Sequence, residues 1–303
     1  MSIPAPRASQ KIYTTGHSRD WTPLTDEQLA SYATNGYLHL EKVFSLEEVG
    51  RGLAVADALA GSPATLENHE GFYHKDKTTF RIRNAVGMTS GIDEMLDHPA
   101  VVGPLMSILD GNIQILGTEV LVRGISEKTP EPWHTDGGQY LQRVRLTADS
   151  CSIQVKAQVF LTDTSADNCG NFLLVPGSHL RVPGTQDYMC YIEELNEPFS
   201  RGELPDDAIV IKAKPGDMLV FPHSLWHGVM ANTVRPRKTF IFRYGQLWQR
   251  PFDYSAQPAA VLGRMSPRLR RMFGDFGPNP HPSDYYKPHD QDTVMAVGGS
   301  RAE

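Results

Sequence analysis

The chain has 303 residues, of which 40% are hydrophobic and 21% charged, and its formal net charge at pH 7 is −6. This composition is ordinary for one large globular domain, and an acidic balance without a lysine or arginine run argues against a nucleic-acid or anionic-membrane partner. No apolar stretch approaches the roughly 20 residues of a membrane helix and no secretory signal precedes the first helix, so we expect a cytoplasmic protein. The three cysteines are too few and too irregular for a disulfide framework, and we expect reduced, buried thiols.

Helices are predicted in the first third of the chain. Residues 1–23 are polar without a clear period, and we expect a flexible arm there. The pairs Thr25–Gln28 and Ser45–Glu48 have the spacing of a capping box, so each predicts the start of a helix. A third helical stretch, 93–109, contains two prolines that should break it.

Strands are predicted after Gly111, where segments shorten and the hydrophobic period approaches two. In 151–161 one face is apolar throughout, while the other carries mostly polar side chains, including Lys156 and Gln158. Further strands are predicted at 113–122, 171–175, 208–211, 217–221 and 238–244. Short strands between Gly/Pro turns favour a mainly β (α+β) sandwich or jelly roll with the early helices packed outside. We expect a single domain over 24–288 and a disordered tail over 289–303.

The segment WHTDGG at 133–138 contains the first candidate metal site. Residues two apart on an extended segment point to the same side, so His134 and Asp136 can both reach one ion. Two histidines and one carboxylate on one face of an octahedron are typical of non-heme Fe(II) oxygenases. With 11 histidines in 303 residues, a His-x-Asp pair occurs about once by chance, and His74-Lys75-Asp76 is a second example without a matching downstream element.

A matching downstream element exists for the first pair. The segment 214–228, KPGDMLVFPHSLWHG, is typical of a turn, a strand and a histidine at the far end of that strand. His223 and His227 compete for the third ligand position. We favour His227, which a glycine follows and which lies ten residues before Arg237.

Several segments, in order, resemble the phytanoyl-CoA dioxygenase family of Fe(II)/2-oxoglutarate oxygenases. They are PWHTDGG, FLLVPGSHL, KPGDMLVFPHSLWHG and N-x-x-x-x-R-K-T, with LTDEQLASYATNGYLHLEKVFSLEEV before them and MSPRLRRMFG after them. The resemblance therefore spans about 24–274 and implies a double-stranded β-helix with the metal between two sheets. It implies His134, Asp136 and His227 as Fe(II) ligands, with 2-oxoglutarate and O2 as co-substrates.

In that family an arginine on the strand after the distal histidine binds the far carboxylate of 2-oxoglutarate. Lys238 stands at the usual distance from His227, but Arg237 suits the role better because a guanidinium offers a planar fork that an ammonium lacks. Further candidates for the co-substrate pocket are Thr239, Arg123 and Gln158. The alternative for these residues, and for Arg237, is a solvated surface.

The resemblance implies oxidation of a small organic molecule, by hydroxylation, desaturation or ring chemistry, with release of succinate and CO2. Asp136 favours these outcomes over halogenation, since related halogenases carry Ala or Gly at that position. Nothing marks a CoA site, so we expect a secondary-metabolite intermediate as the substrate. Candidate substrate contacts are Tyr73, Arg81, Arg83, Tyr140, Arg143 and Trp226, although packing is the commoner role for a tryptophan beside a ligand histidine.

Two other interpretations stay open at this stage. One is a cupin-like Zn(II) or Mn(II) enzyme with hydrolytic or isomerase activity, and the other is a non-catalytic small-molecule-binding barrel whose histidines are core residues. Hydrolysis needs no residue that binds the far carboxylate of a co-substrate, so a buried Arg237 would argue against a hydrolytic enzyme. The sequence allows a homodimer.

Overall fold

The computed structural model describes residues 19–67, 71–73, 77–128, 131–136, 141, 144, 147, 152–184, 186–187, 190–286 and 288–296. The helices within these ranges are α1 Asp26–Asn35, α2 Leu46–Leu59, α3 Pro63–Glu67, α4 Ala85–Met88, α5 Asp93–Leu96, α6 Pro99–Leu109, α7 Glu193–Ser200, α8 Ala259–Leu262, α9 Pro267–Met272 and α10 Gln291–Ala296, with 3-10 turns at Ser178–Leu180 and Pro282–Tyr285. The strands are β1 Leu38–Leu40, β2 Gly71–Tyr73, β3 Thr79–Ile82, β4 Ile113–Arg123, β5 Glu131–His134, β6 Gln154–Phe160, β7 Phe172–Leu174, β8 Ile209–Ile211, β9 Met218–Pro222, β10 His227–Val229 and β11 Arg237–Gln246.

Two antiparallel sheets form the core of the described structure. The larger sheet has the strand order β1-β9-β6-β11-β4-β3-β2, and the smaller has the order β5-β10-β7-β8. Their inner faces pack together through Phe160, Leu219 and Phe221 of the larger sheet against Phe172 and Leu174 of the smaller. Two facing sheets with helices outside form a jelly roll, as the short alternating strands predict.

The N-terminal helices begin where the capping boxes predict. The Thr25 hydroxyl accepts a hydrogen bond from the Gln28 N–H, and the Gln28 side chain accepts one from the Thr25 N–H. Ser45 and Glu48 make the same reciprocal pair at the start of α2. Each box satisfies two backbone donors that lack a partner within the helix, which defines the first residue of α1 and α2.

The third helical stretch is broken at Pro99 only. Pro99 occupies the first position of α6, where the missing N–H has no partner within the helix anyway. Pro104 lies inside α6 and the helix continues through it, so the predicted second break is wrong. Residues such as Leu105 and Leu109 of this helix are fully buried against the large sheet, and their burial outweighs the roughly 3 kcal/mol that an internal proline costs.

Strand β6 separates the helical layer from the space between the sheets. Its residues Val155, Ala157 and Val159 join the apolar cluster under the helices. Its alternate residues Lys156 and Gln158 point to the other side and are buried between the sheets. The solvated-face alternative for this strand is therefore wrong, because the polar face of β6 lies inside the jelly roll.

The two ends of the described chain pack on each other. The indole Nε1 of Trp21 donates a hydrogen bond to the carbonyl of Met295, at 2.8 Å, and both side chains are buried. The residues 291–296 form α10. Trp21 lies within the predicted arm and Met295 within the predicted tail, and both bury apolar surface here. The bounds of the arm and of the tail stay predictions.

A buried arginine connects these ends to the helical layer. The Arg268 side chain of α9 is 1% exposed, and its guanidinium donates to Asp20, at 2.7 Å, and to Asp97. These ion pairs hold the MSPRLRRMFG segment, which contains Arg268, against the residues around Asp20 and Asp97. Among the described residues, no helix is long and apolar enough to cross a membrane. Cys169 and Cys190 are buried and outside any disulfide.

We expect Arg268→Ala to lower the free energy of unfolding by about 3–5 kcal/mol, because it leaves two carboxylates near the core without their cation. Urea unfolding followed by circular dichroism measures this change. The matched control is Arg270→Ala in the same helix, whose side chain is 47% exposed and should matter by less than about 1 kcal/mol. Equal effects of the two substitutions would contradict the assignment.

Candidate metal and co-substrate site

The predicted metal ligands come together at the pairing of β5 with β10. His134 lies directly opposite His227 in this antiparallel pair, and their ring centroids are 4.2 Å apart. Asp136 follows two residues later, where its N–H donates a 2.8 Å hydrogen bond to the carbonyl of His223. One ligand atom from each of His134, Asp136 and His227 lies within 4.8 Å of the others. Residues opposite each other on paired strands share a face, so the fold brings both imidazoles to one side.

Hydrogen bonds orient both histidines for metal binding. The Nδ1 atoms of His134 and His227 lie 2.8 Å from the carbonyl oxygens of Pro132 and Leu225, respectively. A carbonyl only accepts, so Nδ1 carries the proton and Nε2 presents its lone pair. Burial, with the nearby His134 ring, lowers the pKa of His227 to about 3, which keeps this imidazole neutral. Both rings are therefore in the form that binds a metal.

The carboxylate of Asp136 is held ionised by its neighbours. Burial alone would raise its pKa, but the Lys156 ammonium, 2.7 Å away, and the His227 ring bring the pKa well below its usual value. Phe172 stacks on the His227 ring and Phe221 meets it edge-on, at 5.2 and 5.1 Å between centroids. Two imidazoles and one carboxylate are a donor set that fits Fe(II).

The competing histidine lies beside this cluster without joining it. His223 is buried, and neither of its ring nitrogens has a hydrogen-bond partner among the described residues. Burial lowers its pKa to about 4. The geometry groups His227, and not His223, with the His-x-Asp pair.

A cluster of buried donors lies on the inner face where β4 and β11 pair. Arg237 is directly opposite Arg123, and the two side chains are 2% and 3% exposed. Arg237 donates through Nη1 to the carbonyl of Gly170, at 2.8 Å, but its Nε has no partner among the described residues. Arg123 donates to Glu131, at 2.5 Å, while its Nε and Nη1 are unpartnered within the same set. The solvated-surface alternative is wrong for both arginines.

Two more predicted residues extend this cluster. The hydroxyl of Thr239 and the amide nitrogen of Gln158 are buried, and neither has a partner in the described part of the chain. Thr239 lies two residues beyond Arg237 on β11, and Gln158 lies on the neighbouring strand β6. Burying several unpaired donors in one place is costly, and a ligand carboxylate would satisfy them. The donor set therefore fits the far carboxylate of 2-oxoglutarate.

The positions of Arg237 and Lys238 on β11 distinguish the two candidates for binding the far carboxylate of 2-oxoglutarate. Successive residues of a strand point to opposite faces. Lys238 points to the helical layer, where its ammonium pairs with Asp57 of α2. Burial, together with Arg123, lowers the pKa of Arg237 to about 9, so its guanidinium keeps its charge at neutral pH. Of the two, only Arg237 faces the metal side of the sheet.

We expect Thr239→Val to raise the KM for 2-oxoglutarate about 10-fold or more with little change in kcat, since a hydrogen bond to a charged group is worth about 1.5–3 kcal/mol. The substitution keeps the shape of the side chain and removes only the hydroxyl. Succinate release at varied 2-oxoglutarate concentration measures it, with the exposed Thr233→Val as the matched control. An unchanged KM in Thr239→Val would exclude the hydroxyl from the pocket.

The predicted substrate contacts fall in different places. Arg81 lies on the inner face of β3, 2.9 Å from Glu131. Arg83 is exposed and stacks over the Phe72 ring, at 4.9 Å. Tyr73 is 55% exposed and packs on Phe80, which belongs to the apolar cluster under the helices. Of these three, the structure brings only Arg81 to the inner face near the metal ligands.

Trp226 lies on the outer face of the small sheet. It packs with Trp133 and Ile192, and the Arg181 guanidinium lies over its ring at 4.5 Å. The ligand His227 points to the inner face, so Trp226 is on the opposite side from the metal ligands. Packing is thus the role its position supports. The remaining predicted residues, Tyr140, Arg143 and the pair His74/Asp76, lie outside the described residues.

Three charged residues of the inner face were missed by the sequence analysis: Glu119, Arg243 and Asp253. Glu119 is four residues before Arg123 on β4, and Arg243 is six residues after Arg237 on β11. Counting in steps of two from the predicted arginines would have found both. Asp253 follows β11 in a loop, and no periodic signal marks it.

A model of the family described as phytanoyl-CoA dioxygenase matches residues 32–238, more than half of the chain. The chain belongs to the phytanoyl-CoA dioxygenase family. The matched range contains the metal triad and Arg237, and it ends directly before Thr239. The segment MSPRLRRMFG lies beyond it. The predicted family is thereby confirmed over the central motifs.

Curated relatives of the chain are also dioxygenases of this kind. An ectoine dioxygenase of Nocardia farcinica is 23% identical, over 71% of this chain and 75% of that protein. An ectoine dioxygenase of Bordetella bronchiseptica is 29% identical, over 57% of this chain and 54% of that protein, so the match spans about half of this relative. These identities support a common family without transferring a substrate.

A solved structure shows the same fold. HygX from Streptomyces hygroscopicus, with nickel, 2-oxoglutarate and hygromycin B bound, superposes with a TM-score of 0.59 at 19% identity. The superposition covers 78% of this chain and 94% of HygX. The double-stranded β-helix class predicted from the family resemblance is confirmed by this likeness and by the two facing sheets.

Proposed function

We propose that this chain is an Fe(II)/2-oxoglutarate-dependent oxygenase that oxidises a small organic molecule and releases succinate and CO2. The observation that carries the proposal is the combination of a three-residue metal cluster with unpartnered buried donors on the same inner face. His134, Asp136 and His227 form the metal cluster. Arg237 and Arg123 are the charged members of the donor set. A chelating dicarboxylate is the ligand that connects two such places.

The proposed roles follow from the contacts of each side chain. When bound, Fe(II) with 2-oxoglutarate and O2 supplies the oxidising chemistry that side chains lack. The triad would hold the metal and leave coordination positions for the co-substrate and O2. Arg237 and Arg123 bind and orient the far carboxylate of the co-substrate through charge-assisted hydrogen bonds.

Neighbouring groups maintain the state of these ligands. The carbonyls of Pro132 and Leu225 keep the imidazoles in the metal-binding tautomer. Lys156 keeps Asp136 ionised. The rings of Phe172 and Phe221 exclude water from the back of His227.

For the substrate we propose a secondary-metabolite intermediate that is hydroxylated, desaturated or cyclised. Support comes from HygX, a relative in fold that has been crystallised with hygromycin B, and from the ectoine dioxygenases, whose named substrate is also a small polar molecule. Asp136 supports oxidation over halogenation because its carboxylate occupies the ligand position that the halogenases leave empty.

The competing interpretations fit the geometry less well. A hydrolytic or isomerising Zn(II) or Mn(II) enzyme has no use for two buried arginines with open donors on the metal side of the sheet. A non-catalytic barrel would have no reason to keep the carboxylate of Asp136 and two imidazoles converging on one point. Both interpretations predict that 2-oxoglutarate leaves the spectrum of the Fe(II) protein unchanged.

Anaerobic titration tests the proposal directly. Fe(II) and 2-oxoglutarate together should produce a visible charge-transfer band in the wild-type protein, and Fe(II) alone should not, because the band reports chelation of the metal by the co-substrate. Circular dichroism verifies that the protein is folded. A folded wild type without this band would overturn the oxygenase assignment.

A further inference from the structure

A second polar cluster lies next to the metal ligands on the inner face of the large sheet. It contains Lys156 of β6 and Arg243 of β11, which are directly opposite each other in the sheet. The Lys156 ammonium is 2.7 Å from the carboxylate of Asp136. Arg243 is therefore separated from a metal ligand by a single side chain.

The cluster is distinct from the co-substrate donors. Arg243 lies six residues beyond Arg237 on β11, which is about 20 Å along an extended strand. The two arginines therefore lie near opposite ends of the inner face of β11. Arg237 and Arg243 lie on the same face of the sheet. Arg243, which is further from the co-substrate donors, is the arginine close to Asp136.

The guanidinium of Arg243 makes no hydrogen bond to any described residue. Its contact with a carboxylate is with Glu119, at 3.7 Å, which is beyond hydrogen-bonding distance. Its other contact is the ring of Phe252, at 4.5 Å. The Arg243 side chain is only 13% exposed. A guanidinium has five donors, and those of Arg243 are not among the fully buried polar atoms, so a ligand that displaces water from them can use them.

Glu119 does not act as a full partner for this cation. Its carboxylate lies 3.7 Å from Arg243 and also 3.7 Å from Arg81. Arg81 itself donates to Glu131 at 2.9 Å. Glu119 thus holds the two guanidiniums apart at ion-pair distance, and the donors of Arg243 stay available to a ligand.

The charges of the inner face leave an excess of one cation. Among the described residues, the cations are Arg81, Arg123, Lys156, Arg237 and Arg243, and the carboxylates are Glu119, Glu131, Asp136 and Asp253. An Fe(II) ion and a 2-oxoglutarate dianion cancel each other and do not change this balance. The described part of this face therefore favours an anionic ligand over a neutral one.

We propose that the substrate of this enzyme carries a carboxylate, which Arg243 binds through two parallel hydrogen bonds with Lys156 beside it. The inference rests on the proposed oxygenase function and specifies its substrate class. The carboxylate supplies acceptors for the donors of Arg243, which have no hydrogen-bond partner among the described residues. It anchors the substrate on the side of the metal opposite to the co-substrate clamp.

The test compares acids with their neutral amides on a fully loaded protein. Ni(II) replaces Fe(II) to prevent turnover, and saturating 2-oxoglutarate fills the Arg237 pocket. The probes are benzoate with benzamide and 3-phenylpropionate with 3-phenylpropionamide, and calorimetric titration measures their Kd. We expect at least one acid to bind the wild type about 10-fold or more tightly than its amide, as a bidentate charged contact requires.

Arg243→Gln should remove that preference, weakening the acid about 10-fold and leaving the amide unchanged. Arg243→Lys keeps the charge and should retain an intermediate preference for the acid. This variant replaces Arg243→Gln in the test if Arg243→Gln does not fold. Arg51→Gln, on the solvent side of α2, is the matched control and should behave as wild type. An acid that coordinates Ni(II) directly would keep its preference in Arg243→Gln.

Two outcomes would overturn the inference. One is a loaded wild type that binds no acid more tightly than its amide. The other is an acid preference that survives in Arg243→Gln. Failure of the oxygenase function is recognised separately, as the absence of the Fe(II)/2-oxoglutarate band in the wild type before any probe is added.

Discussion

Asp136→Ala should reduce succinate formation by more than about 100-fold, since even residues behind the direct ligands of a metal typically account for roughly 10- to 100-fold. Asp136 is the only carboxylate of the cluster His134, Asp136 and His227. Its loss leaves two neutral imidazoles for the metal. It also frees the Lys156 ammonium, which lies 2.7 Å from this carboxylate and would then repel a divalent cation.

The measurement combines anaerobic Fe(II) binding with succinate release from 2-oxoglutarate, with and without added metabolite extract. Circular dichroism should show an unchanged fold, because the sheets do not depend on this side chain. The matched control is Asp76→Ala, in the second His-x-Asp pair of the chain, which should retain wild-type values. The reverse result, with Asp76→Ala inactive and Asp136→Ala active, would show that the metal site had been assigned to the wrong pair.

Arg237→Gln should raise the KM for 2-oxoglutarate by about 30-fold or more, because truncating one partner of a buried charged hydrogen bond costs about 2–5 kcal/mol. Glutamine keeps a donor but loses the charge and the planar fork. Arg237 is fully enclosed between the sheets, so solvent cannot replace the lost contact.

Lys238→Gln is the control for this experiment. It changes the neighbouring cation on the same strand, but its ammonium pairs with Asp57 on the opposite face. We expect a KM for 2-oxoglutarate within about 2-fold of wild type, since a partly exposed ion pair contributes about 0–1 kcal/mol. Steady-state succinate release at varied 2-oxoglutarate concentration compares the two variants. A larger effect of Lys238→Gln would reverse the assignment of the clamp.

The electrostatics of the inner face connect the two halves of the proposed site. Glu131 accepts hydrogen bonds from Arg123, which belongs to the co-substrate cluster, and from Arg81, which is linked through Glu119 to Arg243. The acidic residues therefore separate the cations, which would otherwise repel one another. This arrangement allows two anionic ligands to bind on one sheet face without sharing a cation.

Local sequence patterns were sufficient for the elements whose stability is local. The capping boxes at Thr25 and Ser45 start helices because a side chain three residues away completes the hydrogen bonds. The alternation of 151–161 predicted β6 and its two faces. Strands β2 and β3 were missed, and the break predicted at Pro104 was wrong, because neighbours in space and not in sequence stabilise these elements.

For the metal cluster, too, one part could be predicted from the sequence and another part depends on the fold. A His-x-Asp pair followed by His227 predicted three ligands, because order and spacing along the chain are properties of the sequence. Their convergence requires the pairing of β5 with β10, a contact between residues about 90 positions apart. The same pairing places Trp226 on the outer face of the small sheet, away from the candidate metal ligands.

By itself, the sequence determined the family, the jelly-roll class and the candidate metal and co-substrate residues, because motifs and strand periods are written along the chain. Only the tertiary structure decided that Arg237 faces the metal side while Lys238 faces α2, since a shift of one residue reverses the face of a strand. It also brought Arg243 to Lys156 across two strands. Contacts across a sheet depend on register, and register is set by the packing of both faces of the whole fold.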